Sequence, residues 1–125
     1  MELVRGTGGA WAAWTPAFTG FSADPTGHTA RYTRTGNLVT AAYTWNAGGT
    51  SNATGFTITL PVVAANTVPQ HGICRAYDNG SYVTIGTIAT RANSAVADVY
   101  PDAAGGNWTG SGTKNCHFVF TYEAA

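Results

Sequence analysis

Apolar and small polar residues alternate at a period of two through most readable stretches of this chain, and nothing repeats at the helical period. Phe56-Thr57-Ile58-Thr59-Leu60 is one clean case. Cys116-His117-Phe118-Val119-Phe120-Thr121-Tyr122 is another, with Cys116, Phe118, Phe120 and Tyr122 on one face. Successive side chains on a strand point to opposite sides, so the pattern predicts half-buried sheet. The expected fold is all-β: a single antiparallel, jelly-roll-like β-sandwich of about eight strands, preceded by an extended N-terminal arm.

The 125 residues fit one domain with its own core, and a hydrophobic fraction of 44% suffices to pack it. Only 10% of residues are charged, against about 25% in an average globular protein. Thr, Ser, Asn, Gly and Ala must therefore make the outer surface, which suits a subunit lying against neighbours. Six basic and six acidic residues are scattered singly. No cluster of Lys or Arg is dense enough to displace counterions from phosphates, so nucleic acid is not an expected partner. No stretch approaches the ~20 apolar residues of a membrane span. Met1-Glu2-Leu3-Val4-Arg5 lacks the apolar run of a secretory signal, so synthesis and folding in a cytoplasm are expected. Cys74 and Cys116 read as small core residues. A bond between them is possible but disfavoured in a reducing compartment.

Met1 to Ala10 holds three glycines and no alternation. It reads as an extended arm (1–10) ahead of the β domain (11–125), with Met1, Glu2, Leu3, Val4 and Arg5 as an assembly segment docking on a partner subunit. Strands are expected at Trp14–Phe21, His28–Arg34, Leu38–Trp45, Gly55–Leu60, Ile73–Asp78, Tyr82–Thr90, Ala95–Tyr100 and Asn115–Glu123. Asn46–Asn52 reads as a Gly-rich loop, and Val62–Gln70 as irregular because it does not alternate and contains Pro69. Asn79-Gly80 is the strongest hairpin signal, since both residues accept positive φ. Val83 and Ile85 share one parity and Ile88 has the other, which predicts a β-bulge at Gly86.

No catalytic constellation emerges. His71, Cys74, Cys116 and His117 offer zinc-type donors, but Cys116 and His117 are adjacent on a strand and point to opposite faces. Their spacing also fails the usual zinc patterns. Ser111 sits between two glycines without a strand–turn–helix elbow. Asp24, Asp78, Asp98 and Asp102 could form a hydrolytic pair only if folding brought two of them together. A non-enzymatic protein without metal or cofactor is expected.

Aromatic residues are the better candidates for binding. Trp108 on its Gly-rich loop, with Tyr100, Tyr82 and Tyr77, presents flat rings that can stack on a sugar or anchor a protein contact. The competing reading is that Trp45 and most tyrosines are core or edge packing. Trp108 is the residue expected to be exposed, because a Gly-rich loop cannot bury it alone.

Trp14-Thr15-Pro16-Ala17-Phe18-Thr19-Gly20-Phe21 is similar to a strand that opens many small β-sandwich modules of tailed bacteriophages. Ala30-Arg31-Tyr32-Thr33-Arg34-Thr35-Gly36-Asn37-Leu38-Val39-Thr40 resembles their next hairpin. Thr59-Leu60-Pro61-Val62 and Phe120-Thr121-Tyr122-Glu123-Ala124-Ala125 match in style and order, so the likeness spans Trp11 to Ala125. The resemblance implies a virion surface protein, often trimeric, of the tail-fibre, minor tail or capsid-accessory kind. It implies partners among copies of itself, the major capsid protein or other virion proteins, and, for fibre modules, host-surface polysaccharide. It transfers no ligand residues. Fibre tips usually follow a long shaft, whereas about ten residues without a heptad precede the module here. The expectation is therefore a surface decoration protein that stabilises the assembled shell, with a receptor-binding tail module as the alternative.

Overall fold

The computed structural model describes residues 10–67 and 69–125. The expected arm lies outside the described residues, apart from Ala10. Among those described, the fold is all-β. Its first six strands are β1 (Ala12–Ala13), β2 (Phe18–Thr19), β3 (Phe21–Ala23), β4 (Thr29–Thr35), β5 (Leu38–Thr44) and β6 (Gly49–Ser51). The other five are β7 (Thr57–Thr59), β8 (His71–Asp78), β9 (Ser81–Thr90), β10 (Val96–Tyr100) and β11 (Thr113–Glu123). Eleven strands replace the expected eight or so: β1 is a short added strand ahead of Trp14, and two local causes account for the other two. The single strand foreseen over Trp14–Phe21 is broken, because Gly20 turns with φ of 97° and passes so close to the Gly55 carbonyl that no Cβ would fit. The Gly-rich stretch after Trp45 is also not all loop, since β6 pairs with β3 and β11.

The strands form one curled antiparallel sheet in the order β1-β4-β5-β11-β8-β9-β10-β7-β2. β11 is its hinge. Residues Lys114 to His117 pair with Asp78 to Arg75 of β8, whereas Phe118 to Glu123 pair with Tyr43 to Leu38 of β5. One long strand thus changes neighbours halfway along, and the natural twist of the sheet carries its flanks round to face each other.

The core fills the space between them. Cys116, Phe118, Phe120 and Tyr122 are all buried, as the alternation predicts, and they meet Val39, Ala41 and Tyr43 of β5 and Ile88 of β9. Each large aliphatic or aromatic chain buried this way contributes about 1.5–3 kcal/mol. Small residues set the curl: the Phe120 ring lies against Gly72, where an added Cβ would stand 2.4 Å from its Cδ1. The irregular Val62–Gln70 stretch is pinned by the Tyr122 hydroxyl, which donates to the Val62 carbonyl (2.8 Å) and accepts from its N–H (3.2 Å). An isolated bridge between Ala64 and Ala124 adds to this. The β8–β9 hairpin turns through Asn79 (φ 50°) and Gly80 (φ 83°), as the Asn-Gly pair predicts.

Candidate functional site

The inward face of β8, β9 and β11 is sealed; the outward face is not. β8 and β9 stay in step from His71–Ala89 to Arg75–Ile85, but Tyr77 then pairs with Tyr82. One extra residue therefore sits in β9 between Tyr82 and Ile85. The bulge is real, but it lies at Val83–Thr84 and not at Gly86. Gly86 has a different reason: the Tyr100 carbonyl and the Cys74 sulfur crowd it, leaving no room for a side chain. A bulge lets neighbouring residues of one strand escape strict alternation. Here it leaves Tyr82, Val83 and Ile85 all exposed.

The second cause is the change of partner along β11. Its pairing with β8 ends at His117–Arg75, two residues short of where Val119 would meet Ile73. The strands part there and open an apolar groove of about 540 Å³, lined by Ile73, Arg75, Val83, Ile85 and Val119, with Phe118 at its base. Ile73 is 68% exposed, Ile85 62% and Val119 71%. The sequence carried one signal of this that the alternation argument passed over. Phe118-Val119-Phe120 is apolar at three successive positions, so both faces of that strand are apolar.

An aromatic cluster flanks the groove. His117 stacks on Trp45 with centroids 5.1 Å apart and planes 6° from parallel. Tyr77 meets Trp45 and Tyr82 edge-on at 5.1 and 4.9 Å. The Arg75 guanidinium lies 3.8 Å over the Tyr82 ring, a cation–π arrangement. The Tyr82 hydroxyl is within 3.1 Å of His117 Nε2. Burial, and then the Arg75 charge, hold the His117 pKa below its ordinary value. The neutral ring therefore dominates at neutral pH. Tyr77 and Tyr82, singled out from the sequence, are thus brought together, and Arg75 and His117 join them.

Trp108 and Tyr100 line a different cleft, which shares no residue with the groove. Trp108 is 2% exposed, which overturns the expectation that its Gly-rich loop leaves it open. The indole N–H donates to the Val99 carbonyl (2.7 Å), the backbone N–H donates to Thr54 O (3.0 Å), and Phe56 packs on the ring at 5.3 Å. The loop closes because the Asp78 carboxylate accepts from the Thr109 amide and hydroxyl. Beside this corner a cleft of about 460 Å³ takes in Tyr100, the edge of Trp108, and the Arg91–Asp98 pair. That pair is bidentate, at 2.9 and 2.7 Å, and raises the Arg91 pKa.

Cys74 and Cys116 are buried and free. Burial and the neighbouring Cys74 push the Cys116 thiol pKa well up. His117 stands on the opposite face of β11, as adjacent strand positions require. Among the described residues no three His, Cys, Asp or Glu side chains are placed to hold a metal ion together. Asp98 is held by Arg91, Asp78 by Thr109, and Asp102 by the Ala104 and Gly106 amides.

No protein-family model matches this chain, and no curated protein matches it.

Proposed function

We propose that this chain is a non-enzymatic structural protein of a bacteriophage virion, a surface decoration protein that assembles with itself and clips onto the finished shell. The observation that carries this reading is the outward face of β8, β9 and β11. Three large aliphatic side chains, Ile73, Ile85 and Val119, stand more than half exposed around one groove, on a chain that is 10% charged. Contiguous apolar surface of this kind marks an interaction site. In this reading the two flanks of the curled sheet act as the layers of a jelly-roll-like sandwich, and the trimeric form follows the resemblance to phage modules. The mechanism is mass action: a protein that binds only the assembled lattice stabilises that state by the free energy of each contact.

The test is the disassembly temperature of the parent shells, stripped of this protein and then reconstituted with it. Added wild-type protein should raise that temperature, and Val119→Asp should not. An unchanged temperature with wild-type protein refutes the decoration role.

A second reading, a tail module that grips host-surface polysaccharide, is favoured by the cleft at Tyr100. An aromatic ring beside a fixed Arg91–Asp98 pair offers both stacking and directional hydrogen bonds to hydroxyl groups. Adsorption to host cell-wall polysaccharide that is lost in Tyr100→Ala would select this reading over the first.

A further inference from the structure

We propose that the apolar groove between β8 and β11 is the seat for the N-terminal segment Met1–Arg5 of a second copy of this chain. The inference rests on the assembly reading above and names the partner. Three observations carry it.

The first is charge. Arg75 is the one cation lining the groove, and among the described residues it has no carboxylate partner. The segment supplies one acid, Glu2, directly beside the apolar pair Leu3-Val4, which separates it from the cation Arg5. Laid extended in the groove, the segment turns Leu3 to the wall at Val119 and Val4 to the wall at Ile73, which sets Glu2, on the side of Val4 and two residues from it, within reach of that guanidinium.

The second is direction. Ala12 pairs with Tyr32 and Ala13 with Arg31, so the chain enters β1 from the side of the β4–β5 turn. Among the described residues β1 is also one edge of the sheet. The groove lies three strands inward, past β4 and β5, where the row Arg31, Ala42, Val119 leads to it. Upstream of β1 the described chain thus runs toward the β4–β5 turn, away from the row that leads to its own groove.

The third is length. Residues 1–9 span up to about 30 Å when extended. Three strand spacings amount to only ~14 Å, so length admits the chain's own groove as well as a neighbour's, and the direction of approach selects the neighbour.

Disulfide trapping tests the assignment, using the full chain with its native Cys74 and Cys116, both of which are buried. Leu3→Cys and Val119→Cys proteins are mixed and oxidised. The expected product is a covalent dimer, formed by the mixture and by neither variant alone. A chain carrying both substitutions should cross-link into larger species; an intrachain bond there overturns the proposal in favour of the chain's own segment. Light scattering then separates this inference from the reading beneath it. Deleting residues 1–5 and introducing Val119→Asp should each dissociate the wild-type oligomer. Charge reversal by Glu2→Arg should weaken association roughly tenfold or more, and adding Arg75→Glu should restore it. If Val119→Asp dissociates the oligomer but the deletion does not, the segment is not the occupant and the assembly reading stands. A wild-type chain that is monomeric at every concentration and binds no shell defeats both.

Discussion

Trp108 sits on a Gly-rich loop and is closed off from solvent, whereas Val119 lies in the middle of the longest strand and is 71% exposed. The usual association of strand with core and loop with surface is reversed at these two places. At Trp108 the loop is held by directional bonds: Asp78 to Thr109, the Trp108 backbone to Thr54, and the indole to the Val99 carbonyl. Those bonds recover the cost of ordering the loop and let a large ring fill the gap beside Phe56. At Val119 the strand itself is fully paired with β5, but β8 has already turned away, so nothing in the described chain covers the outward side chain. Burial in this molecule is decided by which elements remain together, not by the class of element a residue belongs to.

Trp108→Ala is the most severe way to break that contrast. It removes the largest buried side chain and also leaves the Val99 carbonyl without its donor. A loss of about 3–5 kcal/mol is expected, read as a fall in the urea midpoint. A loss below about 1 kcal/mol would mean that the loop does not close over the core as described.

The same corner holds the inward-pointing Lys114, which is wholly buried. Its ammonium donates to the carbonyls of Ala53 (2.8 Å) and Gly55 (2.7 Å) and lies 5.0 Å from the Phe21 ring centroid. Burial pulls its pKa down to about 8, against a weaker opposing effect of Asp78. In the unfolded chain lysine titrates near 10.5. Between about pH 8 and 9 the unfolded chain keeps a proton that the folded one sheds, so stability should rise with pH. One proton limits the rise to about 1.4 kcal/mol per pH unit. Above about 9 the raised Cys116 pKa works the other way, because the thiol ionises only once the chain unfolds. Denaturation at stepped pH should show the rise in wild type and none in Lys114→Met. A wild-type stability that falls steadily from pH 8 to 9 would contradict the buried ammonium.

Most of the sheet was legible because alternation reports directly on which face is buried: β4, β5 and β8 to β11 all fall within two residues of their expected limits. The breaks at Gly20 and β6 were not legible, since they depend on Gly55 and β3, which are distant in sequence. The bulge was placed on the right strand from the parity of Val83, Ile85 and Ile88, but parity alone does not show where the partner strand slips. Tyr77 and Tyr82 were legible as rings on sheet strands, and the structure leaves Tyr82 exposed and Tyr77 half-buried. Trp108 was misjudged because local composition does not reveal an anchor as remote as Asp78. The groove itself escaped notice, because it arises where β11 exchanges β8 for β5, and no local pattern encodes that.

The outward face should give the smallest effects, and the comparison with Trp108 depends on them. Ile73→Thr, Ile85→Thr and Val119→Thr keep β-branched side chains suited to strands and only exchange an ethyl (Ile73, Ile85) or methyl (Val119) group that already faces water for a hydroxyl. At concentrations where the chain is monomeric, each should change stability by no more than about 0.5 kcal/mol. The same substitutions should weaken self-association and shell binding, because these apolar groups matter only once a partner excludes water from them. Equilibrium unfolding and light scattering on the same samples separate the two effects. A loss of about 2 kcal/mol in the isolated monomer would mean that the groove is already filled within a single chain, and the contrast between a sealed corner and an open one would collapse.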